Sequence, residues 1–259
     1  MPIKFFKYQG TGNDFVLVDN RKPVVNRAQE QLFASWCDRR FGIGADGVIL
    51  LQNHTEFDFE MVYINADGRE GSMCGNGGRC AVQFAYDLGL IGTKTSFLAV
   101  DGEHEAEIKE GLIYLAMQAA SLPISAPEGG FYLNTGSPHH LAWVQNLLDF
   151  DVADVGKKLR WHSHYAPGGT NVNFLERIGS QSLRVRTFER GVEAETYSCG
   201  TGVTAAALLY AFQEKWDSNF SVDITTSGGA LRVQAKRVDN GFVDVQLIGP
   251  AARVFEGVI

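Results

Sequence analysis

Glu70-Gly71-Ser72-Met73-Cys74-Gly75 has a counterpart 125 residues downstream, Glu195-Thr196-Tyr197-Ser198-Cys199-Gly200, and each copy runs into a helical pattern. The first helix carries Arg79-Cys80-Ala81-Val82-Gln83-Phe84 and the second Thr204-Ala205-Ala206-Ala207-Leu208-Leu209. The same 125-residue spacing relates Gly44-Ala45-Asp46-Gly47-Val48-Ile49-Leu50 to Gly169-Thr170-Asn171-Val172-Asn173-Phe174-Leu175, and Gly12 stands 124 residues before Gly136. Short Gly-rich turns resemble one another by chance, but three separated landmarks at nearly one offset read as an internal repeat. Two copies of one α/β unit follow. A duplicated pair packed about a pseudo-twofold axis makes an interdomain cleft, a preferred place for a small ligand.

Around these landmarks the first half alternates strand and helix. Strand-like segments fall at 3–8, 15–19, 48–52 and 57–64, the last alternating Phe57, Phe59, Met61 and Tyr63. Helical patterns cover 28–40 and 75–88, where Val82, Phe84, Ala85 and Leu88 share an apolar face. The segment 121–130 holds two of the seven prolines and reads as a linker.

The chain has 259 residues, 45% of them hydrophobic, so it is long enough for a large core and far from the composition of a disordered protein. Its net charge of −7 disfavours nucleic acid or an anionic membrane as the main partner, since phosphate binding needs clustered Lys and Arg. Small molecules are the expected partners. The first residues lack an apolar signal core, and the longest apolar run, 205–212, is far short of the ~20 residues of a spanning helix, so the expected address is the cytoplasm. Four cysteines without a C-x-x-C pair match neither a disulfide framework nor a zinc ribbon. Cys37 and Cys80 lie inside amphipathic patterns and read as small buried hydrophobes.

Cys74 and Cys199 read differently, because each precedes glycines that open a helix: Met73-Cys74-Gly75-Asn76-Gly77-Gly78-Arg79 and Ser198-Cys199-Gly200-Thr201-Gly202. Unsatisfied N–H groups and the positive end of the helix dipole stabilise a thiolate there, and the same groups can hold a carboxylate. Two such turns facing one substrate permit two-base inversion. One thiolate removes the α-proton, the opposite thiol returns a proton to the other face, and the helix N-termini stabilise the enolate-like charge. Such chemistry needs no pyridoxal phosphate, and no motif for it surrounds the lysines. No cofactor and no metal are therefore expected.

Other motifs in the chain fit other chemistries less well. Gly42-Ile43-Gly44-Ala45-Asp46-Gly47 matches G-x-G-x-x-G but leads into a strand-like segment rather than a helix, so it reads as a turn, not a dinucleotide site. His139, His140, His162 and His164 lack a standard metal-ligand spacing and read as surface or hydrogen-bonding groups. A cysteine hydrolase using Cys199 and His139 would leave Cys74 and the duplication unexplained.

With these residues in place, the sequence resembles the diaminopimelate epimerase family, part of the cofactor-independent two-cysteine racemase group. The resemblance runs through Phe5 to Val16, Gly42 to Gly47, Asn65-Ala66-Asp67-Gly68, Met73 to Arg79, Gly136-Ser137-Pro138-His139, Glu189-Arg190-Gly191 and Glu195 to Gly202. It implies an α+β fold of two pseudo-symmetric duplicated α/β domains, each a mostly antiparallel sheet wrapped around a central helix, with the active site in the interdomain cleft. The expected halves are 1–118 with 249–259, carrying Cys74, and 119–248, carrying Cys199. It implies catalysis by Cys74 and Cys199, with the reacting carboxylate held at Gly75, Asn76, Gly200 and Thr201. Asn13, Asn65, Asn171, Glu189 and Arg190 would bind substrate: Arg190 the distal carboxylate, Glu189 the ammonium at the reacting centre, and Asn65 and Asn171 both kinds of group. His139 and Ser137 take supporting places. The implied reaction interconverts LL- and meso-diaminopimelate for lysine and peptidoglycan precursors, in a homodimer. Two positions depart from the pattern. Ser137 stands where many members have asparagine, and Gly47 where some have a ligand-contacting glutamine. A proline-type racemase and a non-catalytic binding protein on the same scaffold are the alternatives, and a substrate panel or an α-proton exchange assay separates them.

Overall fold

A computed structural model describes residues 2–71 and 73–259; Met1 and Ser72, the latter inside the first cysteine landmark, lie outside the described residues. The chain divides into two compact units, 1–115 with 249–259, and 116–248.

In the first unit β1 (Lys4–Gly10) and β2 (Asn13–Asp19) form an antiparallel hairpin. After α1 (Glu30–Cys37), β3 (Gly47–Gln52) lies parallel to β2, and β4 (Phe59–Asn65) returns antiparallel to β3. Helix α2 (Gly75–Asp87) follows, then β5 (Lys94–Ala99) parallel to β4, and the antiparallel strands β6 (Gly102–Lys109) and β7 (Leu112–Ala116).

The second unit repeats this order. Two short pieces, β8 (Ala120–Ser121) and β9 (Ile124–Ser125), precede the hairpin of β10 (Phe131–Asn134) and β11 (Pro138–Trp143). Helix α3 (Val152–Arg160) leads to β12 (Asn171–Gly179), parallel to β11, and β13 (Ser182–Glu189), antiparallel to β12. A short β14 (Ala194–Thr196) and α4 (Gly200–Gln213) come next, followed by β15 (Asn219–Thr226) parallel to β13, then antiparallel β16 (Gly229–Val238) and β17 (Gly241–Gly249). The last strand, β18 (Ala252–Val258), belongs to the first unit and pairs antiparallel with β1. The duplication is thus visible in the ladders: Phe15 pairs with Gly47, and 124 residues on His139 pairs with Asn171.

The two helices that follow the cysteines are central. In α4 every residue from Gly202 to Ala211 is buried, as expected for a helix that is apolar all round. In α2 the run from Gly75 to Val82 is buried, and Phe84 packs against Phe6 and Tyr8 at ring distances of 5.0 and 5.6 Å. Helix α1 covers the other face of its sheet with Phe33 and Trp36 against Val16, Val48 and Val62, and α3 does so with Val152 and Leu159 against Val172, Phe174 and Phe188. None of the described helices is long and apolar enough to cross a membrane.

Two local expectations need correction. The helix expected over 28–40 stops at Cys37, because the Asp38 carboxylate accepts hydrogen bonds from the N–H groups of Arg40 and Phe41, both at 2.7 Å, and turns the chain. The expected linker 121–130 is stitched into sheet, Ser121 against Gly241 and Ile124 against Tyr132. Its prolines fall just outside the paired residues, where their missing N–H costs nothing.

Candidate active site: two cysteine half-sites

Cys74 is the N-cap of α2, in extended conformation (φ −109°, ψ 131°), and Cys199 holds the same position on α4 (φ −119°, ψ 112°). Neither side chain makes a capping hydrogen bond to its own helix. The first-turn N–H groups of both helices have no carbonyl one turn earlier to bond, which suits them to an anion.

In the first unit the Cys74 thiol faces Asn13 Oδ1 at 3.5 Å, and Asn76 Nδ2 donates to the same oxygen at 3.3 Å. Asn13 Nδ2 in turn donates to Asp46 Oδ2 at 2.6 Å. Beneath the helix terminus lies Arg79, fully buried, donating to Asn76 Oδ1 (2.9 Å), Thr11 Oγ1 (3.2 Å), Gly75 O (3.3 Å) and Pro250 O (3.3 Å). Among the described residues no carboxylate pairs with this guanidinium. Burial works against its charge, while Cys80 and Cys74 work in its favour. The other two thiols are chemically quiet: burial pushes Cys37 up to about 11 and Cys80 up to about 12, so both stay protonated.

An ion-pair network supports this corner from behind. Lys7 reaches Asp14 at 2.6 Å and donates to Gly44 O, and Arg39 bridges Asp14 (2.7 Å) and Asp46 (2.6 Å). Burial raises the Asp14 carboxyl, but hydrogen bonds from Arg39 and Lys7 outweigh it and hold the group at about 2. A carboxylate lowered on folding adds stability that is complete above its unfolded value of about 3.9 and is lost as pH falls through the folded value. We expect stability to drop between about pH 4 and pH 2 in urea titrations followed by circular dichroism. Asp14→Asn should flatten the profile there, and an unchanged slope would show that Asp14 is not the group responsible.

In the second unit Cys199 Sγ lies 3.5 Å from Thr201 Oγ1, and Thr135 Oγ1 donates to Thr201 O at 2.8 Å, tying the β10–β11 turn to the start of α4. His139, fully buried on β11, accepts from Asn173 Nδ2 at its Nδ1 (3.0 Å). Asn173 has no choice of orientation, because its Nδ2 also donates to His140 O (3.1 Å) and its Oδ1 accepts from Thr187 (2.9 Å). The proton of neutral His139 is therefore on Nε2, which is buried with no hydrogen-bond partner among the described residues. Burial, with Arg190 adding to it, pushes the imidazole down to about 3, so it stays neutral. The expectation of surface or hydrogen-bonding histidines divides. His139 and His140 are buried, the latter 2.7 Å from Tyr165 Oη, whereas His162 accepts from the N–H of His164 in an exposed turn.

The remaining residues singled out in sequence take definite places. Asn171 donates to Pro138 O (3.0 Å) and accepts from Arg190 N (2.8 Å), joining the turn after Ser137 to the turn of Glu189 and Arg190. That second turn is shaped by Glu193, which takes the N–H of Gly191 (3.0 Å) and pairs with Arg160 (2.9 Å). Ser137 offers its carbonyl to Thr135 N at 3.2 Å. Arg190 is exposed and Glu189 half-buried. Asn65 ends β4, its side chain close over Gly71. Gly47 has no room for a side chain: a Cβ there would lie 2.6 Å from Ile64 O and from the Tyr63 ring. The space that a longer residue would take is filled by Tyr63. Asp46, Arg79, Asn173 and Glu193, which the sequence does not single out, contact Asn13, Asn76, His139 and the N–H of Gly191 respectively.

Solved structures of this fold include a PhzF-family phenazine biosynthesis protein from Bacillus anthracis, with a TM-score of 0.78 at 15% identity over 100% of this chain and 99% of that one. A hydroxyproline epimerase from Agrobacterium vitis gives a TM-score of 0.71 at 14% identity, covering 100% and 92%. The fold is thus the duplicated α/β fold of the PhzF and racemase proteins, with a cysteine at the head of each central helix. Within it, the Diaminopimelate epimerase family model matches residues 5–117 and 131–254. A diaminopimelate epimerase of Flavobacterium psychrophilum is 45% identical over 257 residues, spanning 99% of this chain and 100% of that protein. The chain belongs to the diaminopimelate epimerase family.

Proposed function

We propose that the protein is an isomerase interconverting LL- and meso-2,6-diaminopimelate by proton transfer at one α-carbon. The observation that carries the reading is the matched pair of half-sites, each with a cysteine as N-cap of a buried helix, in a chain of this family. In the proposed cycle one cysteine thiolate takes the α-proton while the other thiol delivers a proton to the opposite face. The N–H groups of Gly75, Asn76, Gly200 and Thr201 hold the carboxylate as it takes up enolate character. Acid and base are both supplied by the chain, so the cycle is written without pyridoxal phosphate.

The neutral state of His139 supports a site where an imidazole donates through Nε2–H without adding charge. Exposed Arg190 is assigned to the distal carboxylate, Glu189 to the ammonium at the reacting centre, and Asn13, Asn65 and Asn171 to the remaining polar ends of the substrate. Asn171 spends one N–H and one lone pair on the backbone, and its second N–H and lone pair remain for the ligand. The domains are assigned as an N-terminal epimerase half, 1–118 with 249–259, and a C-terminal half, 119–248. A cytoplasmic homodimer serving lysine and peptidoglycan precursor synthesis completes the proposal.

The test is incubation with LL-diaminopimelate in deuterated water under reducing conditions. Meso product bearing α-deuterium is expected. No exchange and no meso product would refute the reading, and exchange on proline instead would move it to a related racemase.

A further inference from the structure

Asn13 and Asn76 stand beside Cys74, and what orients their amides lies outside the residues assigned above to the substrate. The oxygen and nitrogen of an amide are told apart by their partners, and here the partners leave one choice. Asp46 Oδ2 can only accept, so at 2.6 Å it takes a proton from Asn13 Nδ2. Arg79 can only donate, so Asn76 turns Oδ1 toward it at 2.9 Å. The other two ends then meet, Asn76 Nδ2 donating to Asn13 Oδ1 at 3.3 Å, and that oxygen is the one 3.5 Å from Cys74 Sγ. Reversing Asn13 alone would set two NH2 groups together. Reversing both would aim an NH2 at the guanidinium and a carbonyl at the carboxylate. Both ends of the string are themselves fixed, Asp46 by Arg39 (2.6 Å) and Asp14 N (3.2 Å), Arg79 by complete burial and three further hydrogen bonds.

We propose that Asp46 and Arg79 are positioning residues for Cys74: by locking the two amides they present a carbonyl oxygen to the sulfur and so hold the proton on Cys74 in the unliganded protein. An amide oxygen accepts from S–H and repels S⁻, whereas the amide NH2 would favour the thiolate. The other charges behind this corner, Lys7, Asp14 and Arg39, are paired with one another and with Asp46, and Arg79 is the cation on α2 itself. At the position 125 residues after Arg79 the second copy has Thr204, whose hydroxyl donates to Gly200 O at 2.9 Å, as Arg79 does to Gly75 O. The charged end of the string thus belongs to one copy of the repeat. The consequence for turnover rests on the epimerase reading; the consequence for Cys74 reactivity does not.

The experiment reads Cys74 alkylation by iodoacetamide against pH in a Cys199→Ala background, located by peptide mass, with Cys37 and Cys80 buried. Asp46→Asn releases one end of the string, so Asn13 no longer holds its carbonyl against the sulfur, and the alkylation midpoint should fall by roughly half a pH unit or more. With Asn13→Ala also present, the same Asp46→Asn change should leave the midpoint nearly still, because its effect passes through Asn13. An equal shift with and without Asn13 would mean direct charge removal and overturn the proposal, as would no shift in Asp46→Asn alone. Asp46→Ala, read identically, keeps the test decisive if the amide variant does not fold. If the Cys199→Ala variants alkylate as expected while the unsubstituted protein does not exchange the α-proton of diaminopimelate, this inference stands and the epimerase reading falls; the opposite pair of results does the reverse.

Discussion

Replacing Cys74 or Cys199 by alanine is expected to lower kcat/KM for diaminopimelate epimerisation by about 10²- to 10⁴-fold, the range in which a positioned acid or base contributes. Each cysteine is an N-cap whose side chain makes no capping bond to its helix, so the loss of sulfur should leave folding nearly untouched. Stability is read by urea denaturation and activity by chiral analysis of product. A Cys74→Ala variant with ordinary activity would end the two-base scheme, since one thiol would then serve both faces. A variant that unfolds would be uninformative about chemistry, and serine at the same position then preserves size and the test.

The second large effect is expected at Gly202, in the first turn of α4. A Cβ there would lie 2.3 Å from Asn173 Oδ1 and 3.3 Å from both Asn173 Cγ and Cys199 Cβ. Asn173 cannot yield. It is fully buried, and its hydrogen bonds to His139, His140 and Thr187 use both ends of its amide. Gly202→Ala therefore forces either overpacking or the loss of a buried hydrogen bond, costing on the order of 3 kcal/mol. Because the displaced amide sets the tautomer of His139, kcat/KM should fall by roughly tenfold or more in the surviving folded fraction. Gly92→Ala is the control: its Cβ meets nothing within 4 Å, and a change within about 0.5 kcal/mol is expected. Equal stability of the two variants would show that the turn at Gly202 has slack.

Much of this architecture is written in short-range pattern. The helix after Cys74 was expected over 75–88 and runs Gly75–Asp87, because an apolar 3.6-residue period and the Gly-rich start are both local signals. The repeat was legible for the same reason, since turns that need glycine keep it in both copies. Contacts between distant residues were not legible. Arg79 is visible as the end of a motif, but only the fold shows that its guanidinium lies wholly buried against Thr11, Asn76 and Pro250. Asp46 lies in a stretch that reads as a turn, and nothing in that stretch says that its carboxylate orients Asn13, 33 residues earlier. His139 reads as a surface or hydrogen-bonding group until the ladder puts it at the position that Phe15 holds in the first unit, opposite Asn171 as Phe15 is opposite Gly47. Helix α1 is shorter than its sequence pattern because its Asp38 stop acts through a side-chain bond rather than through glycine or proline.

The pairing of β18 with β1 bears on how the molecule is made. Unit two is one continuous stretch, 116–248, whereas the sheet of unit one takes its outermost strand from residues 252–258. A nascent chain emerging from the ribosome can complete the Cys199 unit while the Cys74 unit still lacks a strand, since domains fold as units during synthesis. The half carrying Cys74 is then finished after the half carrying Cys199, when residues 252–258 pair with β1.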